Sequence, residues 1–151
     1  AIKQGGESVA RTLMNDHRVD INIRTNTGLT PLHAAAQEGK KDIARNLLGD
    51  SRLDLSLTSH NGSTPLHEAI CYRHTDLARI LLTDPRIDVN QANQDGDTAL
   101  HYAARDWEVV GARCLLEDPR VDPNALNNSP WTPLHVAVLN MREEVVKVLL
   151  E

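Results

Sequence analysis

The chain has 151 residues, a length that suits one domain, with 40% hydrophobic and 25% charged residues. A formal charge of −5 argues against nonspecific nucleic-acid binding, so no nucleic-acid partner is expected. No apolar run reaches the roughly 18 residues of a membrane span, no signal peptide is visible, and Cys71 and Cys114 are too few for a disulfide scaffold. Reduced thiols and an intracellular, cytoplasmic environment are therefore expected, without membrane insertion.

In chain order, Ala1-Ile-Lys-Gln-Gly5 aligns with Ala35-Ala-Gln-Glu-Gly39, so the sequence is expected to begin inside a helix. Val9-Ala-Arg-Thr-Leu-Met14 then reads as a second helix, closed by Asp16-His-Arg-Val-Asp20. The next element is Thr30-Pro-Leu-His-Ala-Ala-Ala36. Thr is a good N-cap, Pro at the first helical position loses no hydrogen bond, and Leu and Ala recur at helical spacing, which predicts a helix over about 30–38. Gly39 can end it in a left-handed conformation. A partner helix carries Ile43-Ala-Arg-Asn-Leu-Leu48, and Asp50-Ser-Arg-Leu-Asp54 forms the turn after it.

The same order returns three times. Thr64-Pro-Leu-His, Thr98-Ala-Leu-His and Thr132-Pro-Leu-His stand 34 residues apart, in phase with Thr30. Leu77-Ala-Arg-Ile-Leu-Leu82, Val109-Val-Gly-Ala-Arg-Cys-Leu-Leu116 and Val145-Val-Lys-Val-Leu-Leu150 supply the second helices. Asp84-Pro-Arg-Ile-Asp88 and Asp118-Pro-Arg-Val-Asp122 supply the turns, where Pro85 and Pro119 block helix continuation. Asn-, Asp- and Gly-rich stretches before each Thr read as tight turns. A fixed period of this size predicts an array whose units bury their apolar faces on their neighbours.

Over its whole length the sequence resembles the ankyrin repeat family, whose period is 33; the extra residue falls where members usually carry a Gly-Ala-Asp turn. The resemblance implies an all-α solenoid of helix-turn-helix units with projecting β-hairpin-like loops. Residues 1–151 are read as one domain with units at about 1–24 (partial), 25–58, 59–92, 93–126 and 127–151 (partial). Val145, Val148 and Leu149 look like an interior unit and not a polar cap, so the chain is expected to be a fragment of a longer protein.

Residues with chemical potential are few. His33, His67, His101 and His135 share one phase, but successive units stack about 10 Å apart, too far for a shared metal. The resemblance implies that this His bonds backbone near the hairpin loops. His67, Cys71 and His74 form the best isolated constellation, yet no second Cys lies nearby in sequence. Neither a Gly-rich phosphate loop nor a nucleophile elbow is present. The expectation is no enzyme activity, no cofactor and no metal. Two basic columns, Arg11, Arg45, Arg79, Arg113 and Lys147, and Arg18, Arg52, Arg86 and Arg120, are shadowed by acids. Asp42, Asp76 and Glu144 lie three residues before Arg45, Arg79 and Lys147, and Asp flanks each turn Arg, which predicts a charge-balanced outer face and a polar ladder between units.

Aromatic residues are the sharper signal. The sequence holds no Phe, and Tyr72, Tyr102, Trp107 and Trp131 all lie outside the Leu/Ala core columns. Exposed Trp and Tyr are favoured interface anchors. The resemblance implies a protein partner bound along the first helices and the hairpin tips. The residues expected to carry it are Tyr72, Tyr102, Arg105, Asp106, Trp107, Trp131, Leu139 and Asn140, with His60, Asn61, Ser63, Gln94, Asp95 and Asp97 toward the tips. The competing reading is packing of Trp107 and Trp131 between the last two units. The function expected is noncatalytic protein–protein recognition by a monomeric module; the alternative is a regulatory or tethering segment of a larger enzyme or channel. The resemblance also makes Asn90 the most plausible site of asparaginyl hydroxylation.

Overall fold

The computed structural model describes residues 16, 18–106 and 108–151. Among them are eight helices and no strand: α1 (Pro31–Gln37), α2 (Lys41–Leu48), α3 (Pro65–Cys71), α4 (Thr75–Leu82), α5 (Ala99–Arg105), α6 (Val109–Leu116), α7 (Pro133–Leu139) and α8 (Glu143–Leu150). The expected first unit through Asn15 lies outside the described residues. No helix among those described is long and apolar enough to cross a membrane.

Each pair begins as its sequence dictates. Thr30, Thr64 and Thr132 are N-caps whose hydroxyls accept the N3 backbone N–H, followed by Pro at the first helical position. The first helix ends after seven residues. Gly39 then turns the chain at φ +63, while Arg73 and Met141 hold the same left-handed turn at φ 61 and 54. The glycine expected at this phase is therefore needed less than the sequence suggests: a short exposed turn tolerates the strain of a non-glycine residue.

Odd-numbered helices pack on odd, and even on even, along the array. Two rows result, with the core between them. Leu32, Leu66 and Leu100 of the first row and Leu47, Leu77, Leu81 and Leu115 of the second are all buried, with Ala36, Ala69, Ala103 and Ala137 permitting close approach. Truncating one such leucine to Ala typically costs about 2–5 kcal/mol. Ile70 and Ala104 are buried against the following unit, whereas Val138, at the same phase in the last pair, is 58% exposed.

The loops between pairs stack as well. Each closes on itself, as where the Thr25 N–H donates to Leu29 O at 2.9 Å. Each also donates one backbone bond to the loop before it: His60 N to Thr27 O, Gln94 N to Asn61 O and Asn128 N to Asp95 O, at 2.9–3.0 Å. Gly28, Gly62 and Gly96 occupy the tips at φ +81, +82 and +79, where a Cβ on Gly96 would stand 2.5 Å from the Asn128 nitrogen. Glycine is required there both by its backbone conformation and by the neighbouring loop.

The outer charges are balanced, but not as sequence spacing alone suggests. Asp42–Arg45 and Glu144–Lys147 pair within their helices at 3.2 and 2.6 Å. Arg79 instead pairs with Glu117 of the next unit, and Asp76 with Lys41 of the preceding one. Side-by-side helices bring these partners as near as a helical turn does. The turn arginines do bridge units. Arg86 and Arg120 are held by Asp84 and Asp118, and each donates at 2.7 Å to the last carbonyl of a preceding helix, Leu48 O and Leu82 O. They thereby cap carbonyls that the helix itself leaves without partners.

Candidate functional site

The histidine column is the framework on which the exposed face is hung. His33, His67 and His101 are buried, and each Nε2 donates to a carbonyl of the next loop: Ser63 O at 3.0 Å, Asp97 O at 2.9 Å and Trp131 O at 3.0 Å. A carbonyl can only accept, so Nε2 carries the proton and Nδ1 is the acceptor. Nδ1 of His67 receives the Thr64 N–H at 3.2 Å and hydroxyl at 2.8 Å. Burial favours the neutral ring and lowers the pKa of His67 to about 4. The same cause lowers that of His33.

Both ring nitrogens of His33, His67 and His101 are thereby engaged within the fold. His67 and Cys71 are four residues apart, but the ring is buried and the thiol is exposed. Partial burial, then the charges of Asp106 and Glu68, push the Cys71 thiol up, away from the reactive thiolate. His74 Nε2 donates to Gln37 O at 2.9 Å, another bond between units. Among the described residues no group of three His, Cys, Asp or Glu is placed to hold a metal ion.

The three described aromatics fall into different environments. Tyr72 caps α3 and is 52% exposed; Trp131 precedes the Thr132 cap and is 44% exposed. Tyr102 is half-buried. Its hydroxyl lies 3.3 Å from Ser63 Oγ and accepts from Asn93 Nδ2 at 3.2 Å, and its ring meets the His67 ring edge-on at 5.1 Å. Tyr102 thus joins two units through a polar network and is anchored by it. Trp107 lies outside the described residues.

Arg105 and Asp106 follow Tyr102 at the end of α5. The Arg105 guanidinium lies 4.4 Å from the Tyr102 ring centroid, pairs with Asp97 at 3.2 Å and reaches Asp106 at 3.4 Å. Among the tip positions, His60, Asn61, Gln94 and Asp95 are exposed. Ser63 and Asp97 are buried: their carbonyls receive His33 and His67, and the Asp97 carboxylate also takes the Asn127 amide at 2.8 Å. Those two residues are framework, because the phase that ends each loop must also meet the preceding imidazole. Leu139 and Asn140 are exposed at the end of α7, and the Asn140 amide bonds its own helix at Val136 O.

Two contributors were missed in the sequence. Asn93 accepts the loop N–H groups of Asp95 and Asp97 while its amide holds Tyr102. Its phase carries Thr25, Ser59, Asn93 and Asn127, a hydrogen-bonding column that the 34-residue period could have exposed. Glu68 lies on the same face and accepts from Gln37 Nε2 at 3.0 Å. Nothing in its local sequence separates it from an ordinary solvated glutamate.

A family model described as ankyrin repeats (3 copies) matches residues 1–93 and 85–151. No curated protein matches the sequence.

Proposed function

The chain belongs to the ankyrin repeat family, and from that premise we propose that it is a noncatalytic recognition module that holds a protein partner along its concave face and loop tips. Ankyrin repeats are generally protein–protein interaction modules and typically noncatalytic. The observation that carries the finer reading is the exposure of Tyr72 and Trp131 on a hydrogen-bonded framework whose core is already filled by Leu, Ile, Val and Ala. Large rigid aromatics bury much apolar area at low entropic cost when a partner covers them. Arg105, Asp106, Gln94, Asp95, His60 and Asn61 form the polar rim in this reading. Leu139 and Asn140 extend the surface toward the last unit.

Affinity capture tests it. Wild-type protein and a Tyr72→Ala/Trp131→Ala variant of equal thermal stability are compared for the proteins each retains. The proposal requires a specific partner lost from the variant; identical recovery by both would move the site elsewhere.

A further inference from the structure

One phase of the array is filled differently from unit to unit. Asn22, Ser56, Asn90 and Asn124 occupy it, 34 residues apart. Each lies two residues after an Asp whose carboxylate accepts its backbone N–H at 2.9–3.0 Å, so the local turn is the same at all four. The carboxamide of Asn22 then reaches the next unit: it donates to Arg52 O at 2.8 Å and accepts the Asp54 N–H at 2.9 Å. Asn90 does the same with Arg120 O and the Asp122 N–H, at 2.7 and 2.8 Å. Ser56 is too short to follow. Its hydroxyl donates to Asp54 Oδ1 of its own turn at 2.6 Å.

The groups that a carboxamide at position 56 would meet are Arg86 O and the Asp88 N–H. Their turn has the geometry of its neighbours: the Ile87 N–H donates to Asp84 O, as Leu53 does to Asp50 O and Val121 to Asp118 O. Among the described residues no protein group hydrogen-bonds Arg86 O or the Asp88 N–H. A cleft of about 140 Å³ lies there, with Leu55, Ser56, Pro65, Arg86, Asp88 and Gln91 in its lining. It joins apolar walls to one backbone acceptor and one backbone donor. Such backbone groups favour an outside partner that satisfies both. A primary amide is the group that the molecule itself places in this setting, twice. Gln91, the one carboxamide in the lining, is exposed and turns its Nε2 to Ala92 O at 3.4 Å, not to Arg86 O.

We propose that this cleft is a binding site for a primary carboxamide, the Asn or Gln side chain of a partner segment. Its NH2 donates to Arg86 O, its carbonyl accepts the Asp88 N–H, and its methylene lies against Leu55 and Pro65. The two contacts need a donor and an acceptor on one planar group, which neither a carboxylate nor an ammonium or guanidinium group supplies. The cleft shares no residue with the surface around Tyr72 and Trp131, so this site stands apart from the recognition surface proposed above.

The probe is acetamide, titrated into wild-type protein and followed by NMR at the Asp88 backbone amide. A saturable shift there is expected. Acetone, which accepts but cannot donate, should bind at least about fivefold more weakly. Ser56→Asn restores the side chain of the neighbouring units; it should raise Tm and abolish the acetamide shift. The comparison with acetone uses wild-type protein alone and needs no variant to fold. The capped residue N-acetylglutamine N-methylamide should bind in the same place. Acetamide bound with this compound excluded would overturn the side-chain source in favour of a free amide. A shift that does not saturate, that acetone matches, or that survives in Ser56→Asn would overturn the site and leave the cleft to water. Binding seen only in Gln91→Ala would make Gln91 the resident amide and overturn an outside ligand.

Discussion

His67 joins two units: its Nε2 donates to Asp97 O, 2.9 Å away in the next loop, while its Nδ1 takes the N–H and hydroxyl of Thr64. His135 makes the same local bonds to Thr132 but is exposed. Substituting His67 by Ala leaves a buried carbonyl and a buried cap without their partner. The expected cost is about 1–3 kcal/mol in urea denaturation, and the same holds for His101→Ala. His135→Ala should cost less than about 0.5 kcal/mol. Equal losses at all three positions would show that the bond to the next loop contributes nothing.

Stability should depend on pH through the same ring. Burial lowers the folded pKa of His67 from the ordinary 6.5 to about 4, reinforced by His101 and His33 and opposed by Asp97. Between those values the unfolded chain holds more protons than the folded one, so stability falls as pH drops from about 6.5 toward about 4. A gap of this size corresponds to on the order of 3 kcal/mol. His33 shifts in the same direction and adds to the slope. Denaturation midpoints of wild type and His67→Gln across this window check the account. The variant should show the shallower slope, and parallel slopes would remove His67 as the cause.

Met141 adopts φ 54 and is 84% exposed, so its side chain contributes little packing to offset the left-handed backbone. Met141→Gly should stabilise the array by up to about 1 kcal/mol, read as a raised Tm. Arg73→Gly relieves the same strain but also removes contacts with Glu108 at 3.6 Å and Asp106 O at 3.4 Å, so its gain should be smaller. A lower Tm for Met141→Gly would contradict this.

The Asn90 side chain is used at both ends, donating to Arg120 O at 2.7 Å and accepting from the Asp122 N–H at 2.8 Å. Asn22 bridges to Arg52 O and Asp54 in the same way, while Ser56, at the same phase, bonds only Asp54 of its own turn. Asn90→Ala should therefore cost about 1 kcal/mol or more and Ser56→Ala clearly less, by chemical denaturation.

The framework was legible because its causes are local or periodic. The Thr caps, the proline starts and the buried Leu and Ala columns follow from helix chemistry within one unit. The histidine column follows from phase, once the resemblance supplies its backbone acceptor. What escaped depends on how units lie against each other. Arg79 has an acid, Asp76, three residues away, yet it meets Glu117, because stacked helices create neighbours that sequence distance hides. Tyr102 and Trp131 both lie off the core columns, but only stacking places the Tyr102 hydroxyl against Ser63 and Asn93 while leaving the Trp131 ring exposed. Ser63 and Asp97 read as variable tip residues, and it took the imidazoles of the preceding unit to make them framework.

The most direct test of the account is a paired measurement on Trp131→Ala: its thermal stability and its affinity for a partner recovered by the wild-type protein. The backbone carbonyl that receives His101 is kept, and the residue is 44% exposed. The account predicts folding stability within about 0.5 kcal/mol of wild type and a loss in binding of about 2 kcal/mol or more. A variant that loses several kcal/mol of stability while its folded molecules keep full affinity would contradict it, and would make Trp131 a packing residue.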